Sequence, residues 1–198
     1  MTELLLPPDA QDLLFREART ANAFTQEPVT REQVAAIYDL VKYGPTAMNG
    51  QPMRILLVGR DSRERLLKHM ADGNRDKTAE APMVAVLAVD TDFHEQLPRT
   101  FPHAPHLRDG LAAAGVEKRE ATARFNAGLQ AGYFLIGVRA AGLAAGPMTG
   151  FDAAGVDEEF FSGSSWRSFL VVNLGRPAEN AWFDRLPRLE VDEVVAEV

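Results

Sequence analysis

The 198-residue chain contains no cysteine, which excludes disulfides, thiolate nucleophiles and cysteine metal sites together. Histidine is scarce. His69, His94, His103 and His106 are the only four, and none falls in an HExxH or similar ligand spacing, so no metal centre is expected. A basic surplus is also missing. Lys and Arg number 21 against 28 Asp and Glu, and a nucleic-acid partner would need a basic face. No apolar run approaches the roughly 20 residues of a membrane span. The most apolar stretch, 127–148, is interrupted by Gln130 and Arg139 and carries glycines at 128, 132, 137, 142 and 146. The opening MTELLLPPDAQDLLF lacks the basic segment and long apolar core of a secretory leader, so a cytoplasmic location is expected. There is no GxGxxG after the first strand, no GxxxxGK[ST], no internal repeat and no linker, so 1–198 is read as one domain.

What is present centres on Gly44-Pro45-Thr46-Ala47-Met48-Asn49-Gly50-Gln51-Pro52, between a helical pattern and a short apolar run. Asn49 and Gln51 offer donors and acceptors together, enough to read the edge of a heterocycle. Glycine lets backbone approach a ligand, and proline fixes the loop's shape. An ordinary Pro/Gly-bounded turn is the alternative reading.

Around this loop, residues 10–21 read as a helix with Leu13, Leu14 and Ala18 on one face. Thr30-Arg-Glu-Gln33 is a capping-box pattern, and Val34, Ile37, Leu40 and Val41 follow at helical spacing; Gly44 then Pro45 read as its C′ glycine and stop. A strand is predicted over 54–58. A helix is predicted from Asp61 to about Ala71, closed by Gly73-Asn74. The apolar run 82–89 reads as a buried strand. Residues 99–116 are the most irregular, with a short helix at 107–114. One long helix is predicted over 117–141, then a short strand at 143–147, a helix capped by Asp152, a buried strand over 169–174 and a tail ending in a short helical or extended piece. The order gives an α+β layout without regular strand–helix alternation.

Arg19-Thr20, the Gly44–Pro52 loop, Gly73-Asn74, Gly146-Pro147-Met148, Gly150-Phe151-Asp152 and Arg185-Leu-Pro-Arg188, in that order and spacing, resemble the nitroreductase family of FMN-dependent NAD(P)H oxidoreductases, over nearly the whole chain. The nearest resemblance is to its malonic semialdehyde reductase subgroup. The resemblance implies a three-layer fold with a mixed central sheet flanked by helices, and a homodimer with the long helix at its interface. It implies that Arg19, Thr20 and Asn22 hold the FMN phosphate and ribityl chain, with Asn22 standing where the family has a second basic residue. Pro45, Thr46, Ala47, Asn49 and Gln51 would reach the flavin of the partner subunit. Asn74 would meet the pyrimidine edge of the ring, and its other reading is a helix C-cap. Pro147, Met148, Thr149 and Gly150 would lie against the ring, with Thr149 where many relatives carry glutamate. Arg185 and Arg188 would clamp the phosphate.

The implied chemistry needs no protein acid–base pair. NADH or NADPH passes hydride through flavin N5 in ping-pong fashion, and the protein supplies orientation and electrostatics. The subgroup's acceptor is malonic semialdehyde, reduced to 3-hydroxypropanoate in pyrimidine breakdown. Arg99, His103, His106 and Arg108 are the candidate cations for its carboxylate, against a reading as solvated loop charge. A broad-range nitro- or quinone-reductase and a flavin-binding store or sensor without turnover are the alternatives.

Overall fold

Thr30 starts the first long helix as its sequence asks. In the computed structural model, which describes residues 4–198, the Thr30 hydroxyl accepts from Gln33 N (3.2 Å) and Thr30 N donates to Gln33 Oε1 (2.8 Å). Residues 1–3 of the expected single domain lie outside the described residues.

In chain order the helices are α1 (Pro8–Gln11), α2 (Arg31–Val41), α3 (Arg63–Leu67), α4 (Asp72–Glu80), α5 (Leu97–Thr100), α6 (Leu107–Ala113), α7 (Val116–Ala140), α8 (Ala153–Phe161) and α9 (Val191–Val194). The strands are β1 (Met53–Val58), β2 (Met83–Asp90), β3 (Ala144–Met148) and β4 (Trp166–Gly175), ordered β1-β2-β4-β3.

The α+β class and the flanked central sheet are as expected. The sheet itself is antiparallel at every pairing among the described residues rather than mixed. The reason is topological: β4 inserts between the co-directional β2 and β3 and runs against both.

The strand β2 shows why a near-continuous apolar run belongs at the centre. Its side chains alternate between faces, and both faces are covered. Ala85, Leu87 and Val89 join one core with Val34, Ile37, Phe134 and Val138 of α2 and α7. Val84, Val86 and Ala88 join the other, with Leu66 and Leu67 of α3 and Val156 and Phe161 of α8. The result is three layers.

The 25 residues of α7 run roughly 37 Å. Its inner face buries Ala123, Ala127, Ala131, Phe134 and Val138, and α2 seats against Gly137, where a Cβ would lie 2.5 Å from Val41 Cγ1. Its outer face is also apolar: Phe125, Leu129 and Tyr133 are exposed, with Gly128 and Gly132 between them.

Three local expectations are corrected. The helix over 10–21 breaks into α1 and a wide turn over Asp12–Arg16, and Leu13 is exposed. Residues beyond it are drawn out because Ala21 N donates to Ala145 O of β3 (3.0 Å) and Asn22 N to Ala181 O (3.0 Å). The helix from Asp61 to Ala71 stops at Leu67. Residues 69–71 instead grip the segment after β3: Ala71 N donates to Gly150 O and Asp152 N to His69 O. Gly73 and Asn74 therefore open α4 rather than close α3, so the C-cap reading of Asn74 is wrong. Gly44 is not a left-handed terminator either, since α2 ends before it and its φ is not positive. A Cβ there would lie 2.8 Å from the Tyr133 ring, so its missing side chain serves packing against α7.

Candidate functional site

The drawn-out segment 17–23 and the returning tail enclose a cationic recess. One cavity of about 360 Å³ is lined by Leu14, Arg19, Thr20, Arg139, Pro147 and Arg188, among others. A second, of about 190 Å³, shares Arg19, Thr20 and Arg188 and adds Asn22, Phe183, Asp184, Arg185 and Leu186. The β-alternation of β3 decides what it contributes. Ala145 and Pro147 face this recess, whereas Ala144 and Met148 point to the opposite core. The Met148 side chain is buried, with the Thr78 hydroxyl 3.9 Å from its sulfur, so any role at a ligand falls to its backbone.

Arg19 sits over the Trp182 ring at 5.3 Å, its Nη1 reaches Phe183 O at 3.4 Å, and its buried Nε has no protein partner. Arg185 lies 3.8 Å from Glu17, and Arg188 bonds only tail carbonyls. Asn22 donates to Thr20 O. Sequence reasoning missed Arg139 of α7, which donates to Leu13 O and lines the larger cavity. Burial, then the nearby Arg185 charge, lowers its pKa from the ordinary guanidinium value. The signal available was a lone cation in the most apolar stretch of the chain. Four guanidiniums against one carboxylate, Asp184, line these two adjoining cavities, and Arg19 carries an unfilled buried donor; such a surplus suits a phosphate, which Arg meets with forked donors.

Beyond the end of β3, Asn74 Nδ2 donates to Gly150 O (3.0 Å), and a Cβ at Gly150 would lie 2.5 Å from that nitrogen. A side chain at 150 would displace the Asn74 carboxamide. Thr149 is exposed beside it.

The second set of predicted residues stands apart. Pro45, Thr46, Ala47, Asn49 and Gln51 line neither cavity. Their loop holds three left-handed residues that are not glycine: Met48 (φ 56°), Asn49 (φ 48°) and Gln51 (φ 46°). Such backbone costs about 1–2 kcal/mol per residue, less for asparagine. It is over-determined by its contacts. Thr46 Oγ1 accepts from Gln51 N, Gln51 Nε2 donates to Asn49 Oδ1 (2.9 Å), and Asn49 Nδ2 donates to Thr100 O of α5 (2.8 Å). Gly50 backs onto the buried Phe93 ring, 3.0 Å from where its Cβ would be.

Of the four candidate substrate cations, Arg99 is exposed and donates to Gln96 Oε1, His103 packs on Phe101 with ring centroids 3.9 Å apart, and His106 is exposed. Arg108 is already engaged by Glu95 (2.8 Å) and Asp109 (2.8 Å), and these carboxylates raise its pKa. It ties α6 to the turn over Phe93–Gln96. That turn also buries His94, whose Nδ1 has no partner and whose pKa is lowered, first by burial and then by Arg119. Among the described residues no cluster of metal-binding side chains occurs, and no helix is long and apolar enough to cross a membrane.

Comparison with known proteins follows the same outline. The model of the nitroreductase family matches residues 15–176. A Streptomyces griseus protein carrying the provisional name NADH dehydrogenase/NAD(P)H nitroreductase is 60% identical over 98% of this chain and 99% of its own length. A nitroreductase-like structure from Exiguobacterium sibiricum, solved in complex with FMN, superposes with a TM-score of 0.81 at 16% identity, covering 99% of this chain and 100% of that one. The NADPH:FMN oxidoreductase of Vibrio harveyi, solved with NAD+, gives 0.71 at 21% identity, covering 96% and 76%.

Proposed function

The chain belongs to the nitroreductase family and is a flavin-dependent NAD(P)H oxidoreductase, and from that premise we propose that it holds FMN in the arginine-lined recess and reduces malonic semialdehyde to 3-hydroxypropanoate. The observation that carries the cofactor assignment is the placing of Arg19, Arg139, Arg185 and Arg188 along two adjoining cavities that share Arg19 and Arg188, with the buried Arg19 Nε unfilled.

Bound FMN supplies hydride acceptance and donation at its N5. The chain's part is placement and charge. Arg19, Arg185 and Arg188, with the Thr20 hydroxyl, would hold the phosphate, and Asn22 the adjoining chain. Pro147 and the backbone of Met148, Thr149 and Gly150 would line one side of the ring. Asn74 is fixed by Gly150 O, which leaves its amide oxygen for the ring's polar edge. No acidic side chain stands at position 149, which favours an anionic acceptor there.

The loop of Pro45, Thr46, Ala47, Asn49 and Gln51 would complete the site from a second copy. Two observations support a homodimer: the loop lines neither cavity of its own chain, and α7 exposes Phe125, Leu129 and Tyr133 along one face.

A broad-range nitro- or quinone-reductase is the second reading. It is favoured by the neutralisation of Arg108, which removes one cation from the case for a carboxylate substrate. One experiment separates the readings. The purified protein should show a flavin spectrum that NADH or NADPH bleaches anaerobically. Malonic semialdehyde, a nitroarene and a quinone are then compared as oxidants. Preference for the aldehyde acid supports the first reading, preference for either of the others the second, and a flavin that neither nucleotide bleaches would overturn both.

A further inference from the structure

The inner face of α7 is built from alanine, phenylalanine, valine and glycine, apart from two carboxamides. Asn126 and Gln130 are 4% and 7% exposed. A buried amide is costly unless bonded. Asn126 Oδ1 accepts from Ala47 N at 2.7 Å, and Gln130 Oε1 accepts from Met53 N at 2.9 Å. The two residues are one helical turn apart, and they take hold of the two ends of the strained loop. A further turn along, Tyr133 packs on Gly44. Asn126 is itself oriented by donating to Thr122 O (2.9 Å).

We propose that Asn126 and Gln130 are positioning residues that hold the 46–52 segment, with its left-handed Met48, Asn49 and Gln51, in the shape that presents it to the cofactor. This rests on the flavin reading above. The geometry explains a feature that packing alone leaves without a reason. An apolar pair at 126 and 130 would fill the same core, but it would leave the Ala47 and Met53 amides without these acceptors. The loop would then relax toward backbone angles that ordinary side chains prefer, and its carboxamides would lose their mutual bond. The same helix carries the outer apolar face, so loop shape and the proposed dimer contact are set by one rigid element.

The test is hydrogen exchange on the full chain, with and without added FMN, beside FMN affinity measured on the stripped protein. Asn126→Leu and Gln130→Met remove an acceptor while keeping the branching or the length of the side chain, and Gln130→Glu keeps an oxygen in place. Peptides covering 44–53 should exchange about tenfold faster in the first two variants and FMN Kd should rise about tenfold, the expected effect of one buried donor left unpaired. Peptides from β2 should not change, and Gln130→Glu should keep the loop as in the wild type. Unchanged loop exchange, a rise spread evenly over the chain, or a loosened loop with full FMN affinity would each overturn the proposal. Should Asn126→Leu fail to fold, Gln130→Met gives the same reading from the other end. Wild-type protein that takes up no FMN overturns the functional reading, while the clamp is still judged by exchange in the free protein.

Discussion

Arg19, Arg185 and Arg188 reach their recess from extended or irregular backbone, and their protein partners are carbonyls and one distant carboxylate, at 2.9 to 3.8 Å. The 44–53 loop is the reverse. Its backbone is strained, its ends are tied to buried carboxamides, and glycine meets an aromatic ring at Gly44 and again at Gly50. The first region spends little structure on itself and leaves charge for a ligand. The second has most of its polar capacity already engaged and offers shape. On the proposed reading the difference follows from the ligand: a phosphate needs only cations within reach, whereas a planar ring needs a wall that does not move.

The contrast is broken most directly at Arg19. Arg19→Ala should weaken FMN binding by about 1.5–3 kcal/mol, the worth of a charge-assisted bond. Riboflavin affinity and the melting temperature should hardly shift. Equal losses for FMN and riboflavin, measured by fluorescence titration, would show that Arg19 supports the fold instead.

Next in size is Thr149→Glu, which places an anion where the chain has none. At an effective dielectric of about 20 and several ångströms, repulsion of an anionic acceptor is on the order of 2 kcal/mol. The kcat/KM for malonic semialdehyde should fall roughly tenfold or more, and that for a neutral quinone much less. Parallel loss of both in steady-state assays would make residue 149 a packing position.

A smaller effect of opposite sign is expected in the loop. Met48→Gly relieves a left-handed backbone at φ 56°. It should raise stability by up to about 1 kcal/mol, net of glycine's extra chain entropy. Thermal unfolding checks it. A loss would mean that the Met48 side chain contributes more than its backbone costs.

The smallest effect is a pH dependence specific to the loop's support. His94 lies next to Phe93 and is faced by Glu95 and Asp92 from its own turn, Arg119 from α7 and Arg108 from α6. Its folded pKa is lowered, so the unfolded chain takes up the proton first. Its contribution to stability is therefore complete above the ordinary value of 6.5 and is lost as pH falls from there through the folded value. Protection of the loop amides, taken relative to their intrinsic exchange rate at each pH, should fall on acidification over that window, and His94→Gln should flatten the response. A loop whose exchange follows the whole chain would remove the link.

Regular elements were legible from sequence wherever one local pattern decided them. The run 82–89, bounded by proline and aspartate, reads as a buried strand, and Thr30 with Gln33 as a helix start; both are found. The layout failed where distant backbone intervened. Nothing in 61–74 announces that residues 69–71 will bond to 150–152, so one helix was expected where two form. Arg63 falls inside that expected helix, where its charge gives no sign of burial. In the structure it is buried, donating to Val58 O, Thr78 O and Ala81 O. The site divided the same way. Cations such as Arg19 and Arg188 advertise themselves, and so does a loop of carboxamides. The residues bonded to the ends of that loop, Asn126 and Gln130, look like interruptions in an apolar helix until the fold brings Ala47 and Met53 to them.

The loop's conformation also bears on how the protein ages. Asn-Gly is the dipeptide most prone to lose ammonia, because the glycine nitrogen can attack the asparagine side chain with little steric hindrance. Here that nitrogen donates to Ala47 O at 3.0 Å, and the Asn49 amide is turned onto Thr100 O. Nucleophile and electrophile are both engaged elsewhere, so the same contacts that shape the loop shield its most perishable bond. Chains whose loop has loosened should be the ones that accumulate isoaspartate at position 49 during storage.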